Sequence, residues 1–296
     1  ATANMYLDKD GNVIKGLSTN GHLAVGVPGT VAGLHLAWTE HGSLPWKRLV
    51  EPAETLARSG FVVREPLARS LAAVLPRMQD YPASVAQFSK NSQPYQVGDT
   101  FRQPDLALTL SRIRLHGPAG FYEGQTADRI AAEMAANGGI MTHADLAAYR
   151  ALRRTPITGT YRGYDIISMP PISSGGVAVI EMLNVLEGYD LAASGSGSAA
   201  TTHLIIEAMR RAYADRAKSL GDPDFNARMP VAQLTSKDYA AELRATINLD
   251  RASVSSPDSF SWPAEGDETT HVAVVDGARN AVSLTYTLEQ GYGSKI

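Results

Sequence analysis

Asp267-Glu268-Thr269-Thr270-His271-Val272-Ala273-Val274-Val275-Asp276, continued by Gly277-Ala278-Arg279-Asn280 and Ala281-Val282-Ser283-Leu284-Thr285-Tyr286-Thr287, is the stretch on which the fold reading turns. His271–Val275 and Ala281–Thr287 alternate as strands do, and Asp276-Gly277-Ala278-Arg279-Asn280 supplies the turn between them. Before the first strand lies Ala252–Glu265, rich in Ser and Pro, which reads as an exposed loop. A pair of threonines therefore stands at the border between a loop and a strand. Threonine is common in strands, so the pair alone says little. The chain holds its own control, because Thr201-Thr202-His203 repeats the tripeptide at a helix start, where capping accounts for it.

Context separates the two copies. A threonine at a loop–strand border is placed as an N-terminal nucleophile must be. Cleavage of the Glu268–Thr269 peptide would free an α-amine beside the Thr269 hydroxyl. Such an amine titrates near 7.7–8.0 when unperturbed, so it can act as base for the adjacent oxygen. One residue then supplies nucleophile and base, with no need for histidine or cysteine.

The rest of the composition agrees with that economy. The 296 residues include no Cys, which removes disulfide frameworks, thiol nucleophiles and Cys-ligated zinc, and leaves the compartment open. Hydrophobic residues make up 44% and charged residues 19%, inside the soluble globular range and outside the disordered, collagen-like and coiled-coil ones. That length allows one large domain or two small ones, with an ample core. A net charge of −3 gives no basic excess for nucleic acid or an anionic membrane. No apolar run reaches the roughly 18 residues of a membrane helix. Ala1-Thr2-Ala3-Asn4-Met5 carries neither an initiating Met nor the regions of a signal peptide, and the far end stops just after a strand. Both ends read as cuts within a longer protein.

Upstream of the hairpin the first two thirds read mainly as helix. Met5–Leu7 and Val13–Ile14 flank a turn at Asp8-Lys9-Asp10-Gly11-Asn12. As a calcium loop it fails, because Gly11 comes fourth from Asp8 rather than sixth. Thr30 is expected to cap a helix ending at Gly42, with Val31, Leu34 and Trp38 at helical spacing. Further helices are expected at Leu49–Ser59, at Thr126–Ala136 closed by Gly138-Gly139, and at Thr142–Tyr149. A strand pair is expected around Tyr161–Ser168. Met169-Pro170-Pro171 forbids helix before Ser173-Ser174-Gly175-Gly176 opens one at Val177–Leu186. Ser194-Gly195-Ser196-Gly197-Ser198 reads as a flexible link, and a long helix follows from about Thr201 to Ser219. The class is α/β in the broad (α+β) sense, without the strand–helix alternation of a parallel doubly wound sheet.

Other chemistries find little support. Ser194-Gly195-Ser196-Gly197 lacks a third glycine, and Ser173-Ser174-Gly175-Gly176 lacks a P-loop lysine, so it reads as a tight structural turn. His35 and His41 stand too far apart for one helical face, and Asp222 and Asp224 are read as turn and cap residues, so no metal is assigned. Neither Gly-x-Ser-x-Gly nor Ser-x-x-Lys occurs.

Several blocks taken together resemble the γ-glutamyltranspeptidases. They are Gly26-Val27-Pro28-Gly29-Thr30-Val31-Ala32-Gly33, Gly139-Ile140-Met141-Thr142 with Asp145-Leu146-Ala147-Ala148-Tyr149, Tyr161-Arg162-Gly163-Tyr164, Met169-Pro170-Pro171 with Ser173-Ser174-Gly175-Gly176, Tyr213-Ala214-Asp215-Arg216, Gly221-Asp222-Pro223-Asp224-Phe225 and Thr269-Thr270-His271. The resemblance runs along essentially the whole chain. It implies an N-terminal-nucleophile αββα sandwich, incomplete in this chain, and a precursor that cuts itself between Glu268 and Thr269. Residues 1–268 would then belong to the large subunit and 269–296 would begin the small one. The resemblance further implies that Thr269 attacks a γ-glutamyl amide such as glutathione, forms a γ-glutamyl ester, and passes the acyl group to water, an amino acid or a peptide. Thr287 matches the family's second threonine, which hydrogen-bonds the nucleophile; Thr270 and His271 take supporting roles. No cofactor is implied.

Two departures bear on substrate. Where many members carry Asn to hold the donor's α-amino group, this chain has Glu289, an anion that can still bind an ammonium and can shift donor preference. The family's arginine clamp for the donor carboxylate matches positions before Ala1, and its oxyanion hole positions after Ile296. Alternatives are a β-lactam acylase-like or poly-γ-glutamate-processing relative, and an unprocessed, inactive fragment. By the same resemblance a periplasmic or secreted location is expected.

Overall fold

Asp276 and Asp8 begin two turns built the same way, and both follow from one residue type. In each, the aspartate Oδ1 accepts the backbone N–H two and four residues on: Ala278 and Asn280 at 2.9 and 2.8 Å, Asp10 and Asn12 at 2.9 and 2.8 Å. The short side chain thereby closes the loop in place of a backbone acceptor. These hydrogen bonds, the side chain of the closing asparagine foremost at Asp276 and its backbone N–H foremost at Asp8, hold both carboxyls below the usual carboxylate range. The first turn closes a single bridge, Leu7 to Val13, and the second closes a full hairpin.

A computed structural model describes residues 1–2, 4–254 and 269–296. Most of the loop expected at Ala252–Glu265, and Glu268, lie outside the described residues. Among the described residues there are three two-stranded antiparallel sheets. Strand β1 (Phe61–Val62) pairs with β2 (Thr100–Phe101), β3 (Ile157–Tyr161) with β4 (Tyr164–Ser168), and β5 (Thr269–Val275) with β6 (Ala281–Thr287). Helices account for most of the remainder, and none among the described residues is long and apolar enough to cross a membrane. The chain forms two compact units, Arg153–Glu265 and the residues on either side of it. That division falls away from the expected 268/269 boundary, which concerns backbone cleavage rather than packing.

In the first unit, Tyr122, Ala127, Met134, Met141 and Leu146 form a core against which Val27, Val31 and Tyr149 pack. This core moves a helix start. Thr30 is not the cap of the helix Thr30–His41; it is the first helical residue, after Gly29. A Cβ on Gly29 would collide with the Tyr149 hydroxyl, and the first-turn N–H of Ala32 is taken by the Tyr122 hydroxyl at 3.3 Å. A tertiary contact does the work expected of a local cap. The helix at Thr142 agrees with its sequence signal, with Thr142 and Asp145 bonded reciprocally as a capping box.

In the second unit, the helices Gly175–Leu186, Ala199–Ser219 and Lys237–Ala245 enclose Val185, Leu204, Ala208 and Ala240. The long helix starts earlier than expected, and its cap is Ser198, whose Oγ accepts the Thr201 N–H at 3.1 Å. Thr201 points the other way, its hydroxyl donating to Gly195 O at 2.7 Å. The Ser-Gly link is thus tied down. Ser173-Ser174-Gly175-Gly176 is not a separate tight turn: the helix begins at Gly175 rather than Val177, and a Cβ on Gly176 would strike the Met169 carbonyl. Asp224 does not serve as a cap; it pairs with both terminal nitrogens of Arg154 at 2.9 and 2.6 Å.

Two buried glutamates in this unit meet opposite fates. Burial works against Glu207, but Ser253 donates to it from both hydroxyl and backbone and Arg211 adds an ion pair at 2.7 Å, so its carboxyl is held at about 2. Glu181 has no such help: it is 1% exposed, and its Oε1 has no partner. Burial first, and the neighbouring Asp215 second, push it up to about 8. Asp215 is itself held by the Tyr239 hydroxyl at 2.6 Å. A raised carboxyl favours the folded state most below its unfolded value near 4.5, and that advantage drains away as pH rises toward 8; a depressed one adds stability above 4.5 that is lost as pH falls toward 2. Thermal melts across pH should therefore show Glu181→Gln flattening the fall in Tm between pH 5 and 8. Glu207→Gln should lower Tm at neutral pH and flatten the acid limb, at roughly 2–4 °C per kcal/mol.

Candidate active site

The hairpin β5–β6 carries every site residue expected from the sequence except Glu268, which lies outside the described residues, and Glu289, which lies just beyond β6. Seven register pairs join the strands, beginning with Thr269 opposite Thr287 and Thr270 opposite Tyr286. Side chains alternate across a strand, so the hairpin has two unlike faces. One bears Thr269 and His271 on β5, with Ser283, Thr285 and Thr287 on β6. The other bears Val272, Val274, Val282, Leu284 and Tyr286. Every residue of both strands is exposed.

On the polar face the Thr269 hydroxyl donates to Thr287 Oγ1 at 3.2 Å. The same Thr287 oxygen accepts the Glu289 backbone N–H at 2.9 Å. Thr287 Oγ1 is thereby held from two sides, and its own proton stays available. When negative charge builds on Thr269 Oγ1, that proton can be turned toward it, since a hydroxyl both donates and accepts. His271 bonds Thr285 Oγ1 through Nδ1 at 2.9 Å, and Ser283 Oγ through Nε2 at 3.2 Å. Thr270 lies on the opposite, apolar face, away from Thr269.

Past β6 the chain is fastened to the first unit. Arg77 donates to Gln290 Oε1 at 3.1 Å, Tyr292 and Ser70 share a hydroxyl–hydroxyl bond at 3.0 Å, and the Tyr292 ring meets Phe88 edge-on. Lys295 is buried, with Nζ on Asn20 Oδ1 at 2.8 Å, on Gly293 O at 3.1 Å and on Gln290 Oε1. The anchors to Ser70, Arg77, Phe88 and Asn20 are not legible as motifs, because each joins positions far apart in sequence. Ser283, Thr285 and Thr287 did leave a signal, a hydroxyl at every second position of a strand.

Comparison with known proteins bears on the chain as a whole. The sequence model described as Gamma-glutamyltranspeptidase matches residues 1–296. This chain belongs to the γ-glutamyltranspeptidase family. It is 48% identical over 298 residues to the glutathione hydrolase proenzyme of Pseudomonas sp. (strain A14), covering 100% of the chain and 52% of that protein. It is 40% identical over 307 residues to the acylase ACY 1 proenzyme of Pseudomonas sp. (strain V22), with 100% and 54% covered. Among solved structures it resembles Helicobacter pylori γ-glutamyltranspeptidase, with a TM-score of 0.83 at 45% identity, covering 89% of this chain and 74% of that one. The chain spans about half the length of the curated relatives it matches. The mixed helix-and-strand fold is that of the N-terminal-nucleophile family, as expected.

Glu289 combines two demands at one position. Its backbone must turn back to bring the N–H onto Thr287, and it does so at φ 69°, in the left-handed region. Asparagine enters that region far more readily than glutamate. Glu289→Asn should raise stability by about 0.5–1 kcal/mol, read as a higher Tm in differential scanning calorimetry. An unchanged or lower Tm would mean that the left-handed turn carries no strain.

Proposed function

We propose that the full-length protein is a self-processing γ-glutamyl transferase and hydrolase with Thr269 as its nucleophile. The observation that carries the reading is the 3.2 Å bond between the Thr269 and Thr287 hydroxyls, at paired positions of one hairpin, in a chain of this family. In the precursor, Thr269 Oγ1 attacks the Glu268 carbonyl carbon. The Glu268–Thr269 C–N bond breaks as the nitrogen takes up the hydroxyl proton. Water then hydrolyses the resulting ester, leaving a Glu268 carboxylate and a free Thr269 amine. Two subunits result, with residues up to 268 in the large one and Thr269 opening the small one.

In turnover the freed amine takes the proton of Thr269 Oγ1, and that oxygen attacks the γ-carbonyl of a γ-glutamyl amide such as glutathione. The leaving amine takes the proton, and a γ-glutamyl ester remains. Water or the amine of an amino acid or peptide breaks the ester and restores the threonine. Thr287 donates to the developing alkoxide, as a fixed dipole aimed at growing charge. The Glu289 carboxylate receives the donor's ammonium. Thr270 and His271 support the strand. A periplasmic or secreted location belongs to the same proposal and rests on the family resemblance.

A second reading, an acylase acting on β-lactam amides, is favoured by the acylase ACY 1 relative and by Glu289 standing where γ-glutamyl enzymes commonly carry Asn. Denaturing gels, intact mass and paired assays on the full-length protein separate the two. The γ-glutamyl reading expects cleavage before Thr269 and hydrolysis of a γ-glutamyl anilide well above that of an acylated β-lactam. Thr269→Ala should abolish both splitting and turnover. Maturation and activity surviving in Thr269→Ala would end the proposal, and a preference for the β-lactam would select the second reading. The 296-residue polypeptide alone should turn over negligibly, because the matches to oxyanion donors and carboxylate clamp lie outside it.

A further inference from the structure

We infer that His271 is a positioning residue, acting through Thr285 and Ser283 to hold β6 where Thr287 faces Thr269. The inference rests on the γ-glutamyl reading and names a part of its machinery. Both ring nitrogens of His271 are engaged, and both partners belong to the facing strand: Thr285 directly opposite and Ser283 two residues away on the same face. The ring therefore spans two successive positions of β6 on the polar face. A neutral imidazole needs one donor and one acceptor, and two hydroxyls can supply them for either tautomer.

Such a brace matters because of where it stands on the hairpin. Cross-strand pairs contribute roughly 0.2–1 kcal/mol each. The brace lies one position along the polar face from the reacting pair: His271 is the next residue after Thr269 on that face, and Thr285 the next before Thr287. A one-residue slip would set His271 against Leu284 or Tyr286, and Thr269 against Tyr286 or Leu288, on the wrong face. At the far end the Asp276–Asn280 turn fixes the loop, and past Thr287 the Gln290, Tyr292 and Lys295 contacts fix the exit. Between these anchors, His271 is the side chain that ties β5 to two residues of β6. Since its ring nitrogens are spent within the sheet, its loss should disturb geometry at Thr269 rather than contact with the donor.

The test compares wild type, His271→Phe, His271→Asn, Thr285→Val and the double variant His271→Phe/Thr285→Val, all in the full-length protein. Each is measured for the fraction cleaved before Thr269 and for kcat and KM on a γ-glutamyl anilide. His271→Phe and Thr285→Val are each expected to slow processing and lower kcat about tenfold, with KM within twofold. The double variant should be no worse than the poorer single one, since both break the same brace. His271→Asn, which keeps a donor and an acceptor, should recover part of the loss. Wild-type kcat and processing in either single variant, a loss confined to KM, or multiplying losses in the double variant would overturn the inference. Thr285→Val alters one hydroxyl, so it carries the test if His271→Phe fails to fold. A wild type that neither splits nor turns over substrate would instead defeat the γ-glutamyl reading itself.

Discussion

Side chains along a strand alternate with a period of two, so pairing β5 and β6 one residue out of step would turn the whole polar face over. The register that sets Thr269 against Thr287 is therefore the constraint on which the candidate chemistry depends. Three local hydrogen-bonded features lie along it: the aspartate-closed turn at one end, the imidazole between Thr285 and Ser283 on the polar face, and the Glu289 N–H on Thr287 at the other end. Each uses hydrogen bonds from a polar side chain or a backbone group.

The body of the protein follows a different rule. In the second unit, burial sets the terms, and polar groups survive by finding partners or by losing charge. Glu207 is surrounded by donors and stays ionised; Glu181, one helix away, lies against another carboxyl and keeps its proton into the neutral range. Desolvation penalises both alike, and the donors decide between the outcomes. Glu181 and Asn184, each with an unpartnered oxygen one turn apart on the helix Gly175–Leu186, mark the place where this packing is least satisfied.

Periodicity and turn chemistry made much of the fold legible. The hairpin, the strand pair Ile157–Ser168 and the helix after Thr142 all agree with their sequence signals, because each rests on residues near in sequence. The misread caps at Thr30 and Thr201 show where such signals fail. A threonine before a helix can cap it, but at Thr30 the Tyr122 hydroxyl had already taken the N–H, and at Thr201 a serine three residues earlier did. The helices at Glu65–Val74, Pro104–His116 and Lys237–Ala245 were not among those expected, although in the first Leu67, Leu71 and Val74 stand at helical spacing and the last two of them are buried.

At the candidate site the sequence alone established the residue types, their order and the spacing of Thr269 and Thr287, since motif and alternation are properties of a linear chain. It also carried the family, through blocks scattered from Gly26 to His271. Folding added what distance along the chain conceals. The Glu289 backbone N–H meets Thr287, both ring nitrogens of His271 bond β6, and the end of the hairpin is tied down by Ser70, Arg77 and Asn20. The contacts of Ser70, Arg77 and Asn20 join residues more than 200 positions apart, and only when the chain closes on itself do their energies exist at all.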